Sequence, residues 1–173
     1  MAQTGSEPDA REFRNTLSQF CTGVVIATGC VGGEPAGFAA QSFSSVSLDP
    51  PLVLLCPART STSWPKLRQS GSFCINILAA GQKPVCDVFA QSGIDKFSAL
   101  DWHPGVTGSP VLEGVLAYVD CDLYAEHDAG DHTVVLGRVR DVRILDPQGS
   151  PLLFFRGAYG RFEGDAERSD QHG

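Results

Sequence analysis

Ala36-Gly37-Phe38-Ala39-Ala40-Gln41-Ser42-Phe43-Ser44-Ser45-Val46-Ser47-Leu48-Asp49-Pro50-Pro51-Leu52-Val53-Leu54-Leu55-Cys56 decides the architecture. Phe43 to Leu48 has the composition of a strand, and Asp49-Pro50-Pro51 interrupts it. Leu52 to Cys56 is an apolar run too short for a core helix, so it reads as a buried strand that Pro57 stops. Upstream, Val24 to Thr28 is β-branched and apolar, Gly29 to Gly33 is turn material, and Pro35 to Phe38 resumes, which predicts a hairpin. Before that, Asp9 and Glu12 form a capping box, and Phe13, Leu17 and Phe20 recur at helical spacing, predicting an amphipathic helix that Gly23 ends.

Downstream, Ser61 or Thr62 can cap a short helix that carries Trp64 and Leu67 and ends near Gly71. The strand Phe73 to Leu78 follows, then a second short helix around Lys83 to Phe89. Residues 93 to 110 are rich in Gly, Pro and polar residues but include Phe97, Leu100 and Trp102, which suggests a packed loop able to line a site. Val115 to Tyr124 and Thr133 to Ile144 flank the turn Ala129-Gly130-Asp131, and Leu152 to Phe155 supplies a last strand. The expected domain runs from 9 to 162, with flexible termini at 1 to 8 and 163 to 173. Strands outnumber helices and no strand-helix alternation appears. The chain is therefore mainly β with short helices, an antiparallel barrel in preference to a doubly wound sheet.

At 173 residues, 42% hydrophobic and 19% charged, the chain can bury one real core and is too apolar for a disordered protein. Its net charge of -7 and scattered basic residues argue against nucleic acid as a partner. No apolar run reaches membrane-spanning length and the first residues lack a signal-peptide pattern, so the expected location is cytoplasmic, without membrane association. The six cysteines include no C-x-x-C pair, so neither a disulfide framework nor a metal site is expected. Cys56, Cys74 and Cys121 fall in strand-like runs, where a reduced thiol acts as a small hydrophobe.

Three stretches can carry chemistry. In Ala36 to Val53 small and hydroxyl residues let backbone approach a planar ligand, with Gln41, Ser42 and Ser47 to meet its polar edge. A serine-rich edge strand would explain the same residues. Arg59-Thr60-Ser61-Thr62-Ser63-Trp64 puts several hydroxyls at a strand-to-helix junction suited to phosphate, although an N-cap needs only one of them. Gly130-Asp131-His132 sets a histidine at a strand entrance, where it can stack on a ring with Asp131 orienting it, or simply terminate a hairpin turn. His127 reads as a surface residue. A G-x-G-x-x-G fingerprint, a G-x-S-x-G elbow and paired catalytic carboxylates are all missing, which disfavours a Rossmann site, serine-nucleophile chemistry and glycoside hydrolysis.

In order along the chain, Phe20-Cys21-Thr22-Gly23-Val24, Ser42 to Val53, Asn76-Ile77-Leu78, Lys96-Phe97, Gly130-Asp131-His132 and Phe155-Arg156-Gly157-Ala158-Tyr159 resemble the short-chain flavin reductases. These are the reductase components of two-component flavin-dependent monooxygenases, and the resemblance spans about residues 11 to 162. It implies a homodimer of FMN-binding split β-barrels that uses NADH, or NADPH, to reduce FAD or FMN for a separate monooxygenase. It also implies that Gly37, Phe38, Ala39, Ala40, Gln41, Ser42 and Ser47 lie along the flavin ring and ribityl chain. Cys56, Pro57, Ala58, Thr60, Ser61 and Ser63 would face the phosphate, and Lys96 and Phe97 would close the pocket. His132, Arg156 and Tyr159 would stand on the nicotinamide side, with no residue obligatory as a nucleophile or base. NADH is preferred because no arginine cluster awaits a 2'-phosphate. A flavin-binding electron carrier of the same fold, without steady NAD(P)H oxidation, is the alternative.

Overall fold

Val25, Ile26 and Ala27 and their neighbours Phe73, Cys74 and Ile75 are all buried, and they place the core between a central sheet and the elements that cover it. A computed structural model describes residues 7 to 164. The expected tails therefore lie mostly outside the described residues.

The strands are β1 (Thr22–Gly23), β2 (Val25–Val31), β3 (Glu34–Ala40), β4 (Ser44–Leu48), β5 (Pro51–Leu55), β6 (Ser72–Ile77), β7 (Trp102–Pro104), β8 (Pro110–Leu112), β9 (Ala117–Ala129), β10 (His132–Ile144), β11 (Leu152–Phe155) and β12 (Ala158–Arg161). Among the described residues three short α-helices join them: α1 (Ala10–Leu17), α2 (Trp64–Ser70) and α3 (Lys83–Phe89). Seven strands form one sheet in the order β3-β2-β6-β9-β10-β5-β4, and β1-β11-β12 and β7-β8 form two small ones. Every strand pairing is antiparallel. The chain is mainly β, as its strand-rich pattern predicts.

Local rules account for the junctions. Asp9 caps α1 by accepting from the N–H groups of Arg11 and Glu12, both at 2.8 Å. Ser63 occupies the cap position of α2, but the hydroxyl that accepts from the Trp64 N–H belongs to Ser61, at 3.1 Å. Gly71 ends α2 in the left-handed conformation, with φ of 71°.

Several expectations need correction. The first helix stops at Leu17, and Gly23 belongs to β1. No residue of α1 is buried, and Phe20 is 75% exposed, so the Phe13, Leu17 and Phe20 spacing marks an outward stripe. Gly29 lies inside β2, and the turn is only Gly32-Gly33, both at positive φ. A Cβ at Gly29 would meet the Leu67 Cγ at 2.9 Å, so this glycine lets α2 lie close on the sheet. The 93 to 110 loop contributes β7 and leads into β8, and β1 and β12 are strands the pattern does not reveal.

Two buried polar clusters hold the covering segments to the sheet. Asn76 donates to the carbonyls of Ile26 (3.3 Å) and Pro110 (3.2 Å) and to the Thr28 hydroxyl (3.1 Å), and accepts from the Leu112 N–H at 2.8 Å. Asp120, fully buried on β9, accepts from the Thr107 N–H at 2.8 Å and the Thr107 hydroxyl at 2.6 Å. Burial raises its carboxyl pKa, against the lowering effect of the Thr107 bonds. The folded chain thus holds a proton at Asp120 more tightly than the unfolded chain does. Its contribution to stability is full below the ordinary carboxylate pKa of about 4 and is lost as pH rises through the raised value. Asp120→Asn, whose Oδ1 can accept from the Thr107 N–H while its Nδ2 donates to the Thr107 hydroxyl oxygen, should flatten that part of the decline. Urea midpoints of both proteins from pH 3.5 to 7 test this, and parallel profiles would exclude the assignment.

Candidate functional site

A cleft of about 650 Å³ opens where β3, the segment after β5, the end of α3 and the tip of the β9-β10 hairpin converge. Phe38, Ala39 and Ala40 of β3, continuing into Gln41 and Ser42, form one wall. Ala39 packs with one buried cluster and Ala40 with another, so this wall stands between two halves of the core. Ser42 links it to the next wall: its hydroxyl accepts from the Cys56 N–H at 2.9 Å.

Cys56, Pro57, Ala58, Thr60, Ser61 and Ser63 line the second wall, joined by Thr62. The hairpin tip clamps this segment from outside. Arg59 N–H donates to the Asp131 carbonyl at 2.9 Å, Thr133 N–H donates to the Pro57 carbonyl at 3.0 Å, and Ala58 bridges His132. The hydroxyl run and Gly130-Asp131-His132, distant in sequence, are one unit in space. His132 lines the cleft while its Nδ1 lies 2.7 Å from an Asp131 carboxylate oxygen. The His132 contact holds the Asp131 carboxyl below its usual range.

Residues with no warning in the sequence form the third wall: Cys86, Phe89, Ala90, Gln91 and Ser92, from α3 and the turn after it, with Val24 behind them. Tyr159 completes it from β12, its hydroxyl 3.4 Å from the Cys86 Sγ, a contact that with burial pushes its pKa up to about 12. These side chains are mostly small or apolar, and only their position marks them.

Of the expected site residues, Ser47 and Arg156 lie outside this cleft, and Gly37 and Phe97 line with Lys96 an adjoining cleft that shares Thr62 and Ser63. Gly37 is buried, with its carbonyl accepting from the Lys96 ammonium. Phe97 is a core residue, stacked edge-on against Phe89 at 5.2 Å and Trp102 at 6.2 Å. Ser47 sits on β4 at a register shift, outside the cleft lining. Arg156 occupies the β11-β12 turn with φ of 51° and donates to Gln19 at 2.7 Å, away from the lining. Lys96 does line the cleft, and burial pushes its ammonium below the usual lysine range.

The cleft lies within the usual volume range for small-molecule sites of about 300–1,000 Å³. It has an apolar floor from Ala39, Ala40 and Phe89 and a hydroxyl-rich side at Thr60 to Ser63. A flat, partly apolar ring with a polar chain and phosphate fits this division. Among the described residues no cluster of His, Cys, Asp or Glu could hold a metal ion, and no helix is long and apolar enough to cross a membrane.

Comparison with known proteins gives the same reading. Residues 17–163 match the model of the flavin reductase like domain. A relative from Rhodococcus jostii, the reductase subunit HsaB of a flavin-dependent monooxygenase, is 49% identical, over 91% of this chain and 80% of the relative. Nitrilotriacetate monooxygenase component B from Mycobacterium thermoresistibile superposes with a TM-score of 0.86 at 45% identity, over 94% of each chain. The Streptomyces globisporus NADH:FAD oxidoreductase SgcE6, solved with NAD and FAD fragments, superposes with a TM-score of 0.86 at 35% identity, over 96% of this chain and 100% of that one. With sequence and fold in agreement over nearly the whole described chain, this protein belongs to the flavin reductase-like family.

Proposed function

We propose that the protein is an NADH-dependent flavin reductase that supplies reduced FAD or FMN to a separate flavin-dependent monooxygenase. The observation that carries this reading is the convergence of the small-residue wall, the hydroxyl run and His132 on one cleft. Ala39 to Ser42 take the flavin ring, and Thr60, Ser61 and Ser63 take the phosphate end of its chain. His132 and Tyr159 flank the face on which the nicotinamide stacks. Electron exchange between nicotinamide and flavin is the cofactors' own chemistry, so the chain has to hold the two rings in contact and exclude water.

Asp131 serves that task by fixing the His132 ring through Nδ1, which leaves Nε2 as the free edge. The fold we assign is a split barrel over residues 9 to 162, working as a homodimer. A second copy would cover Leu48, Ile144 and other large apolar side chains that are exposed in one chain. Six unpaired cysteines suit a reducing, cytoplasmic setting.

Purified protein mixed with NADH and excess FAD or FMN should oxidise NADH over many turnovers, followed at the nicotinamide absorbance band. Tightly bound yellow flavin without NADH oxidation would instead indicate an electron carrier. His132→Ala should raise the KM for NADH about tenfold, the equivalent of about 1.4 kcal/mol, with a smaller effect on turnover. Unchanged kinetics would remove His132 from the nicotinamide side.

A further inference from the structure

We propose that Lys96 is a positioning residue that braces the three walls of the cleft, its ammonium committed to the protein and not offered to the flavin. This rests on the flavin-reductase reading. An ammonium group has three N–H donors. Those of Lys96 go to the Gly37 carbonyl at 3.0 Å, the Phe89 carbonyl at 3.0 Å and the Ser63 hydroxyl at 3.5 Å.

Each acceptor belongs to a different wall. Gly37 immediately precedes the Phe38 to Ser42 wall, Phe89 is the last residue of α3 before Ala90 to Ser92, and Ser63 ends the hydroxyl run. The stem of the lysine is fixed at its base, because the next residue, Phe97, is buried against Phe89 and Trp102. At the acceptor end β3 and α3 already touch. A Cβ on Gly37 would lie 2.7 Å from the Phe89 ring, so the brace ties two elements where they are in close contact. No carboxylate pairs with Lys96 among the described residues. Its charge is met by neutral oxygens, and the lowering of its pKa by burial agrees with that setting.

A lysine recruited for phosphate would aim free donors into the cleft and favour ligands that carry the phosphate. A brace sets the spacing of the walls and so acts on the ring, whatever the chain attached to it. The two roles separate when FMN is compared with riboflavin, which has the same ring without the phosphate.

The test uses Lys96→Met and Lys96→Gln, binding of both flavins by fluorescence quenching, and amide hydrogen exchange of the flavin-free protein. Loss of the brace should weaken FMN and riboflavin by a similar factor, about tenfold or more for a misplaced wall. The KM for flavin should rise while turnover at saturating flavin stays within a few-fold. Exchange should quicken in 37–42, 60–63 and 89–92 and not in β9 or β10. Lys96→Gln keeps two N–H donors on a shorter stem and carries the same comparison if Lys96→Met does not fold. Weakening confined to FMN would overturn the proposal, as would unchanged exchange in the three segments or faster exchange along the whole chain. If the unaltered protein bound neither flavin, the flavin reading would fall, and the exchange pattern would still decide whether Lys96 is a brace.

Discussion

Phe73→Ala is expected to lower the free energy of unfolding by about 4 kcal/mol, near the middle of the range for emptying a buried aromatic site. Phe73 is fully buried on β6, with β2 on one side and β9 on the other. Its ring meets Trp64 edge-on at 6.2 Å, and across the sheet it fills the space that glycine leaves at position 137. A Cβ there would lie 2.5 Å from the Phe73 Cζ and 3.0 Å from the Cys121 Cβ. Against a typical net stability of about 5–15 kcal/mol, such a loss would bring the domain near the threshold of folding. Gly137→Ala alone should cost about 1–3 kcal/mol by overpacking. In the double variant Phe73→Leu, Gly137→Ala, part of that cost should disappear, because the shorter side chain vacates the contested volume. Urea unfolding of the unaltered protein, Phe73→Leu, Gly137→Ala and the double variant measures the coupling, and strictly additive losses would show that the two residues do not share the space.

Ala39→Trp should abolish flavin-dependent NADH oxidation in practice, raising the KM for flavin by about a hundredfold or more, as a misfit at the reacting centre can. Ala39 is half-buried at the cleft, beside the apolar cluster that contains Phe89 and Val24. An indole there would crowd the part of the cleft lined by Ala39, Ala40 and Phe89 that the flavin ring is proposed to enter. Because Ala39 also packs against that cluster, the indole should cost about 1–3 kcal/mol by overpacking, so flavin binding is measured at a temperature where thermal unfolding shows the variant still folded. Flavin affinity close to that of the unaltered protein would mean that the ring lies elsewhere.

The sequence shows the strands clearly because their evidence is local. Asp49-Pro50-Pro51, Pro57 and Gly130-Asp131 punctuate runs whose composition suits little else, and β5, β9 and β10 fall within a few residues of their expected places. Periodicity misled at α1, where Phe13 and Leu17 repeat like a core stripe and yet are 54% and 55% exposed. Spacing reports that one face is apolar and says nothing of what covers it. Gly29 reads as turn material and Gly137 as one more position of an expected strand, and only the packing partner at each explains the glycine.

The candidate site was legible in two of its three walls. Ordered motifs led to Ala39 to Ser42, to Thr60 to Ser63 and to His132, all of which line one cleft. The wall from Cys86 to Ser92 escaped because Ala90, Gln91 and Ser92 have no chemistry to announce them. Lys96 and Phe97 read alike in the sequence, and in the fold both border a cleft, with the phenylalanine packed into the core and the lysine reaching back to the backbone. Neighbours in sequence on a loop can face in opposite directions, and no pattern of two residues tells which does.

The strand order has a consequence for how the chain is made. In the seven-stranded sheet, β2, β3 and β6 form one group and β4 and β5 another, and no strand from the first half of the chain pairs with both. The β9-β10 hairpin, residues 117 to 144, stitches one to the other, and β1 waits still longer for its partner β11 at residues 153 and 154. During synthesis the early strands must leave the ribosome with open edges and wait for the last third of the chain, the interval in which non-local β proteins are most exposed to pairing with the wrong neighbour.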